Sequence, residues 1–266
     1  MSIESKSIVE RLDSTRSRII TYFAVPINSK STVRKEFFIR LEEGKYFHDN
    51  DYNLTLSNKS NLPVFNPEAI VDDYRDSVFA VQKTSIIVPN GDYHFAHEIW
   101  AKNTDQLFSK RIDLALKPQQ PNTVVIENME LIYRTITELS KYDDTTLPEY
   151  YHFLPVFSNK LKKGTKAKLF FKIANSTAGY SHDYLVEWSM TKLSSGFFSG
   201  IIDVLTQSNV GTSVEFEYSN KPKIFHDNWE IDTNGFTTGT YQITMEVLDK
   251  KSKKRDRKNY VFEIVN

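Results

Sequence analysis

The sequence contains no cysteine. Disulfides, thiolate nucleophiles, thiolate zinc sites and iron–sulfur clusters all require cysteine, so all four are excluded. Glycine and proline are also scarce, with 9 of each among 266 residues, and these residues most often form tight turns. An apolar core must therefore hold the fold together, with few turns of special geometry.

The chain also lacks a long apolar run and a net charge. No segment approaches the roughly 18 apolar residues of a membrane helix, and residues 1–17 show no apolar signal-peptide region. The 34 basic side chains balance 34 acidic ones, so no overall positive field attracts nucleic acid. We expect neither membrane insertion nor nucleic-acid binding. An envelope or periplasmic location is expected if a signal upstream of Met1 was removed, and a cytoplasmic one otherwise.

Aromatic residues are abundant, at 13% of the chain, and they favour strands. Apolar and polar residues alternate along many segments, which is typical of half-buried antiparallel strands. Ile8 and Leu12 share a helical face, so residues 3–12 are predicted as a short helix. The predicted strands span residues 18–25, 33–41, 52–57, 78–88, 93–100, 108–116, 124–132, 168–174, 184–190, 213–218, 241–248 and 259–265.

One strand–loop–strand segment occurs twice, 148 residues apart. Residues 91–99 correspond to residues 239–247, and residues 112–116 correspond to residues 260–264. Both matches preserve the alternation of apolar and polar positions. Such self-similarity at a fixed offset indicates duplication of a structural unit.

Earlier segments repeat at a shorter offset, with residues 52–56 parallel to residues 184–188. A junction with two prolines, at residues 117–122, separates the copies. We therefore predict an all-β protein of two tandem antiparallel immunoglobulin/fibronectin III-like β-sandwiches. Domain 1 is placed at residues 1–118 and domain 2 at residues 119–266.

A tyrosine follows a glycine turn at the start of each repeated strand, at Tyr93 and at Tyr241. This spacing is typical of the tyrosine corner of immunoglobulin-like sandwiches, in which the phenol bonds to upstream backbone. Phe95 and Ile243 stand where an antibody domain has its second cysteine. We predict that both are buried and replace the disulfide by apolar packing.

Catalytic motifs for phosphate, dinucleotide, zinc-protease and EF-hand chemistry are missing from the sequence. Three His-Asp dipeptides, at residues 48–49, 182–183 and 226–227, are the only basis for an enzyme hypothesis. Neighbouring residues on a strand point to opposite faces, which favours a structural role for them. Asp49 and Asp51 offer calcium ligands as a weaker alternative. We predict a protein that is not an enzyme, with no catalytic residue, cofactor or metal.

Two groups of residues are candidates for interactions. The first group is Trp100 and Trp229, because exposed tryptophans can stack on sugars. Trp188 is expected in the core, because it is in phase with Val186. Residues 250–258 carry seven cations and one aspartate, which indicates either a solvated turn or a docking site for an acidic partner. The candidates are Trp100, Trp229, Lys250, Lys251, Lys253, Lys254, Arg255 and Arg257.

Four segments, at residues 89–93, 125–131, 168–173 and 184–186, resemble the β-sandwich regions that accompany GWxTD-domain proteins of Bacteroidetes-type bacteria. The likeness is one of spacing over both predicted domains, and the Gly-Trp-x-Thr-Asp signature is absent from the sequence. The resemblance implies a bacterial accessory or scaffold module of the cell envelope. It carries over no catalytic residues.

The function expected from these observations is that of a non-enzymatic tandem immunoglobulin-like scaffold. Exposed sheet edges and loops at the ends of sandwiches are common protein-binding elements. We therefore expect a protein partner or self-association. The alternative is a carbohydrate-binding module that uses exposed aromatic side chains.

Overall fold

The computed structural model describes residues 4–26, 41–62, 70–72, 78–101, 106–135, 147–193 and 212–266. In these ranges the secondary structure is β-strand, with 3-10 turns at Glu149–Tyr151 and Thr233–Gly235 and no α-helix. The predicted all-β fold class is confirmed. The strands are β1 (Glu4–Arg11), β2 (Arg16–Pro26), β3 (Leu41–His48), β4 (Leu54–Leu62), β5 (Ile70–Asp72), β6 (Val78–Pro89), β7 (Gly91–Ala101), β8 (Gln106–Leu116), β9 (Val124–Thr135), β10 (Phe153–Pro155), β11 (Lys160–Lys162), β12 (Lys166–Asn175), β13 (His182–Lys192), β14 (Thr212–Lys221), β15 (Ile224–Asp232), β16 (Gly239–Asp249) and β17 (Arg255–Val265).

The chain forms two compact units. Unit 1 consists of Met1–Gln119 and Thr135–Phe157, and unit 2 consists of Gln120–Arg134 and Ser158–Asn266. The first change of unit falls one residue after the predicted domain boundary at residue 118. The second segment of unit 1 lies inside the predicted domain 2. Because compactness alone does not define a domain, the division into domains 1–118 and 119–266 stays a prediction.

Unit 1 contains two antiparallel sheets, with the strand orders β1-β2-β6-β5 and β4-β3-β7-β8. This is the pattern of an immunoglobulin-like sandwich, in which successive pairs of strands alternate between the two sheets. The core lies between the sheets because both contribute to one buried cluster. Its members are Ile19, Phe47, Val88, Phe95 and Leu116.

Unit 2 has a similar strand order. One sheet contains β9, β12 and β15 side by side, and the other has the order β11-β17-β16-β13-β14. β11 pairs with β17 in parallel, whereas β13 and β17 both pair with β16 in antiparallel fashion. Phe95 of unit 1 and Ile243 of unit 2 are both buried. The prediction that apolar side chains fill these two core positions is confirmed.

The hairpin of β7 and β8 has the same register as the hairpin of β16 and β17. Gly91 lies opposite Leu116, and Gly239 lies opposite Ile264. Both members of the second pair are 148 residues further along the chain than those of the first. The repeat observed in the sequence therefore corresponds to the same strand pairing in both units.

Two other predictions are wrong, and a third falls almost entirely outside the described residues. Residues 3–12 do not form a helix, because Glu4–Arg11 pairs with β2 as an antiparallel strand. The predicted equivalence of residues 52–56 and 184–188 is also wrong. Residues 184–188 lie in β13, which pairs with β16 of the repeated hairpin. In unit 1 the strand that pairs with β7 is β3, whereas residues 54–56 lie in β4 at the edge of the sheet. Apart from Leu41, the predicted strand at residues 33–41 lies outside the described residues.

The segment Thr135–Phe157 attaches to unit 1 through specific contacts of its described part. The buried Tyr22 hydroxyl donates a hydrogen bond of 2.6 Å to the carbonyl oxygen of Tyr151, and the Tyr22 ring stacks on Phe153 at 5.1 Å. The Tyr150 hydroxyl donates to Glu10 at 2.7 Å. Buried phenol groups usually need such partners, so these contacts account for the assignment of this segment to unit 1.

Both predicted tyrosine corners are present. The Tyr93 hydroxyl donates to the carbonyl oxygen of Pro89 at 3.1 Å. The Tyr241 hydroxyl donates to the carbonyl oxygen of Thr237 at 2.7 Å. In each case the acceptor lies four residues upstream, so each bond fixes the turn that leads into the repeated strand.

Removal of the Tyr241 hydroxyl is expected to destabilise unit 2. Tyr241 is 3% exposed, so Tyr241→Phe leaves a carbonyl group without its donor and should cost about 1 to 2 kcal/mol. Tyr93→Phe should cost less, because Tyr93 is only partly buried. Urea unfolding measures both changes, with Tyr180→Phe as the control because Tyr180 is fully exposed. If Tyr241→Phe unfolds at the same urea concentration as Tyr180→Phe, the corner contributes nothing.

Candidate functional site

The outer face of the sheet β4-β3-β7-β8 carries aromatic and charged side chains. Phe47 and Phe95 point into the core, so the alternate residues of β3 and β7 point outward. We call this surface the unit 1 face. Its residues include Tyr46 and His48 of β3, Glu98 and Trp100 of β7, Lys59 and Asn61 of β4, and Arg111 and Asp113 of β8.

Two open depressions lie on the unit 1 face. One has a volume of about 580 Å³, and its lining includes Tyr52, His94, Arg111 and Asp113. The other has a volume of about 500 Å³, and its lining includes Glu42, Lys59, Asn61 and Trp100. Tyr46 and Glu98 line both depressions, so the two lie next to each other.

The tip of the Tyr46 ring lies over Gly44, the neighbouring outward position of β3. A β-carbon on Gly44 would lie only 2.6 Å from Cε2 of Tyr46 and 2.7 Å from its hydroxyl oxygen. Non-bonded atoms do not approach so closely, so the Tyr46 ring would have to move if residue 44 had a β-carbon. The Lys59 ammonium lies 5.8 Å from the centre of the Tyr46 ring. Gly44 therefore leaves room for the Tyr46 ring at the centre of this face.

A second flat ring stands at one end of the face. Tyr52 stacks on His94 with ring centres 4.3 Å apart and an interplanar angle of 3°. Nδ1 of His94 lies 2.6 Å from Oδ1 of Asp113. Tyr52 is 71% exposed and has a φ of 62°. A bulky residue rarely adopts this left-handed conformation, which is found at turns and functional sites.

The turn that carries Tyr52 is built around Asp49. One carboxylate oxygen of Asp49 accepts hydrogen bonds from the backbone N–H groups of Asp51 and Asn53, both at 2.9 Å. Bonds from the Asn53 backbone and side chain lower the pKa of Asp49. Because Asp49 organises its own turn, the geometry gives no support to the calcium alternative drawn from Asp49 and Asp51.

A buried charged network lies on the inner side of the same strands. Oε1 of Glu43 is 2.8 Å from Nε2 of His97 and 3.2 Å from Nζ of Lys45, and each of these three side chains is 1% exposed. Thr84 donates to Glu43 at 2.8 Å and accepts from Lys45 at 2.7 Å. Burial alone would raise the pKa of Glu43. The His97 hydrogen bond, the Lys45 and His97 charges and the Thr84 bond together lower it to about 2.

The unit 2 hairpin between β16 and β17 carries the predicted basic run. Asp249 is fully buried, and its carboxylate fixes the loop through hydrogen bonds. Its Oδ2 accepts from Ser252 at 2.8 Å, from Asn175 at 3.0 Å and from Thr177 at 3.1 Å. Its Oδ1 accepts from the backbone N–H of Lys251 at 3.1 Å. Burial would raise the pKa of Asp249, but these hydrogen bonds lower it to about 2.

The predicted basic candidates of this hairpin are all exposed, but they differ in their ion pairs. Lys250 pairs with Glu217 at 3.2 Å and Arg255 pairs with Glu246 at 3.0 Å. Lys258 instead reaches the carbonyl oxygen of Glu127 at 2.8 Å. Lys251, Lys253, Lys254 and Arg257 are also exposed, and among the residues that the structure describes no carboxylate forms an ion pair with them.

The two candidate tryptophans differ in exposure. Trp100 is 43% exposed and lies on the unit 1 face. Trp229 is only 9% exposed, its ring lies 4.6 Å from Phe171, and its Nε1 donates to the Tyr218 hydroxyl at 3.0 Å. Trp229 is therefore a core residue of unit 2 and not a contact residue. Trp188 is half-buried and stacks on Trp229 at 5.7 Å.

The three His-Asp dipeptides do not form a common site. Asp49 holds a turn, His182 is buried beside Asp249, and Asp227 accepts from Tyr218 at 3.0 Å. In the described part of the chain, no three His, Asp or Glu side chains are arranged to hold a metal ion. No helix within the same ranges is long and apolar enough to cross a bilayer.

Comparison with models of known protein families finds no match, and neither does comparison with curated proteins. Among solved structures the chain is similar to a DUF4785 family protein from Legionella pneumophila, with 6% identity and a TM-score of 0.28 over 98% of this chain and 56% of that chain. It is also similar to alpha-2-macroglobulins from Salmonella (8% identity, TM-score 0.41, 100% of this chain and 24% of that chain) and Escherichia coli (9%, 0.29, 99% and 23%).

These similarities are distant. The chain spans about half the length of the Legionella protein and about a quarter of each macroglobulin. TM-scores this low carry no inference about function. The resemblance to GWxTD-associated regions stays a prediction, because no family model matches the chain.

Proposed function

We propose that this chain is a non-enzymatic binding protein whose unit 2 hairpin docks an acidic protein partner. The observation that carries the proposal is a basic loop with a fixed conformation. Four exposed cations, Lys251, Lys253, Lys254 and Arg257, project from it. Asp249 holds the loop backbone through Lys251 and Ser252.

A fixed loop favours binding because little conformational entropy is lost when the partner docks. The charges add long-range attraction to an acidic surface, which speeds encounter and aligns the partner. Attraction between exposed charges is screened by salt over about 10 Å at 0.1 M ionic strength. The proposal therefore predicts an interaction that weakens as salt is raised.

Replacing Lys251, Lys253, Lys254 and Arg257 together by glutamine should abolish this docking. Bead-bound wild-type chain and the fourfold variant are incubated with extract of the source cells, and proteins retained by the wild type alone are identified and purified. Calorimetric titration of the purified partner should then show at least tenfold weaker binding to the variant. Binding to the wild type should also weaken between about 50 and about 300 mM salt.

The matched control makes the same change of charge by replacing Lys160, Lys162, Lys163 and Lys166 of unit 2 by glutamine, because β11 pairs with the end of β17 that is farthest from the hairpin. The control should bind like the wild type. A purified partner that binds wild type and the fourfold variant equally well would contradict the proposal, as would failure to obtain any partner. If the partner is a second copy of this chain, sedimentation will show a salt-sensitive dimer that the fourfold variant does not form.

The resemblance to GWxTD-associated regions supports a bacterial, envelope-associated setting for this binding protein. Fractionation of the source cells, with an antibody against the chain, tests the setting. Recovery of the protein in the envelope fraction is the expected result, and its exclusive recovery in the cytosolic fraction would contradict it.

Carbohydrate binding is the second candidate function, and the unit 1 face supports it. Trp100 is exposed there, beside a depression that is also lined by Lys59 and Asn61. Exposed flat rings combined with a few polar groups in an open depression are suited to sugars, which present apolar ring faces and polar hydroxyl groups. Trp229 takes no part in this function, because it is buried in unit 2.

A further inference from the structure

We infer that the two depressions of the unit 1 face form one groove for a neutral, linear oligosaccharide, with Tyr46 as its central stacking platform. This inference rests on the proposed carbohydrate-binding function and adds the site and the class of ligand. Tyr46 and Tyr52 did not stand out in the sequence as site residues. The structure assigns them a role through their ring orientations.

Three aromatic residues follow one another across the face. Tyr52 stands at one end, stacked on His94. Tyr46 lines both depressions, and the tip of its ring lies over Gly44. Trp100 borders the other end. Flat rings of this kind pack against the C–H faces of pyranose rings, with the burial of apolar area as the driving force.

The length of the groove indicates an oligomer. His94 and Trp100 are separated by six positions on β7, and a strand rises about 3.3 Å per residue, so the ends are about 20 Å apart. A monosaccharide would contact only one of the rings. A linear chain of several sugar units would contact all three aromatic residues at once.

The polar groups of the groove match sugar hydroxyls. A hydroxyl both donates and accepts hydrogen bonds, so a site for sugars benefits from donors and acceptors side by side. Lys59 and Arg111 donate, whereas Glu98 and Asp113 accept. With Glu42 included, three carboxylates face two cations, which disfavours an anionic polysaccharide and selects a neutral one.

The rings are held in place before any ligand binds. The backbone N–H of Tyr52 donates to the carbonyl oxygen of Asp49 at 3.0 Å, and the Asp49 carboxylate fixes the rest of the turn. The side chain of Tyr46 is seated on Gly44. A site organised in this way loses little entropy on binding.

Binding of neutral linear hexasaccharides tests the inference. Purified chain is titrated with hexamers of β-1,4-glucose, α-1,4-glucose, β-1,4-mannose and β-1,4-N-acetylglucosamine, and with the corresponding dimers. At least one hexamer should bind, and its dimer should bind at least tenfold more weakly. Gly44→Ala should weaken hexamer binding at least tenfold, because the added β-carbon displaces the Tyr46 ring although no contacting group is removed.

Two matched controls isolate the role of the rings. Gly235→Ala adds the same methyl group in unit 2, where nothing lies within 4 Å, and it should bind like the wild type. Trp100→Ala should weaken binding at least tenfold, whereas Tyr180→Ala, at a fully exposed aromatic residue of unit 2, should not. Circular dichroism establishes that each variant is folded. If Gly44→Ala does not fold, Tyr52→Ala takes its place with the same expected loss.

The failures of the two ideas are distinguishable. A hexamer that binds with unchanged affinity to Gly44→Ala, Tyr52→Ala and Trp100→Ala overturns the groove but leaves carbohydrate binding standing. Binding of dimer and hexamer with equal affinity also overturns it. Preference for an anionic polysaccharide such as alginate contradicts the neutral ligand. If no sugar of any class binds, both the groove and the carbohydrate-binding function fall.

Discussion

Replacement of Glu43 by alanine is expected to lower the free energy of unfolding of unit 1 by about 3 to 5 kcal/mol. Glu43 and Lys45 are both 1% exposed, and their charged atoms are 3.2 Å apart. Removal of the carboxylate takes an ion-pair partner away from the buried Lys45 ammonium. It also removes the partner of His97 Nε2. Leaving one member of a buried ion pair without the other is among the most destabilising single changes.

Urea unfolding followed by circular dichroism measures the loss, and hydrogen exchange of peptides from β3 and β7 assigns it to unit 1. Glu42→Ala is the matched control, since the adjacent carboxylate points to the outer face and should cost less than about 1 kcal/mol. The double variant Glu43→Leu/Lys45→Met removes both charges and should be more stable than Glu43→Ala. Equal stability of Glu43→Ala and Glu42→Ala would show that the network does not stabilise the fold.

The same carboxylate should make the stability of unit 1 depend on pH. The pKa of Glu43 is lowered from 4.5 to about 2, so its contribution is complete above about pH 4.5 and is lost as the pH falls toward 2. The unfolding temperature of unit 1 should therefore fall more steeply below pH 4.5 in the wild type than in Glu43→Gln, which has no carboxylate to protonate at that position. Parallel declines would contradict the assignment.

Much of the fold could be predicted from local patterns. The alternation of apolar and polar residues along β7 and β16 places the strands, and the Gly-x-Tyr turns mark their starts. Both tyrosine corners follow from this spacing. The pattern of residues 3–12 does not identify β1, because Ile8 and Leu12 also fit a helical face. The pairing with β2 decides the outcome, and the pattern of residues 3–12 does not reveal it.

The sites were less predictable, for different reasons. Trp229 follows three polar residues, a pattern that predicts a contact residue, but its pairing with Leu169 places it on the inner side of β15. The contact of Tyr46 with Gly44 depends on a side-chain rotamer, which no pattern of residue types shows. By contrast, a usable signal for the buried network existed. Glu43 and Lys45 are in phase with Leu41 and Phe47 on β3, so two charges stand at apolar positions.

The second large effect is expected at Asp249 in unit 2. Asp249→Ala should lower the free energy of unfolding by on the order of 3 kcal/mol, because Asn175, Thr177 and Ser252 lose their shared acceptor in a buried site. The pKa of Asp249 is lowered from 3.8 to about 2. Its contribution is thus present above about pH 4 and lost as the pH falls toward 2.

The location of the damage distinguishes this role from that of an ordinary core residue. Asp249 bonds to the hairpin through Lys251 and Ser252, so in Asp249→Ala the amides of residues 250–254 should exchange with solvent faster than under global unfolding alone. Ser252→Ala, which removes one donor and keeps the acceptor, should cost only about 1 kcal/mol. Because the fixed loop presents the exposed cations, Asp249→Ala should also weaken the salt-sensitive partner contact, although all four exposed cations are retained. Unchanged exchange in residues 250–254 would mean that the hairpin keeps its conformation by other means.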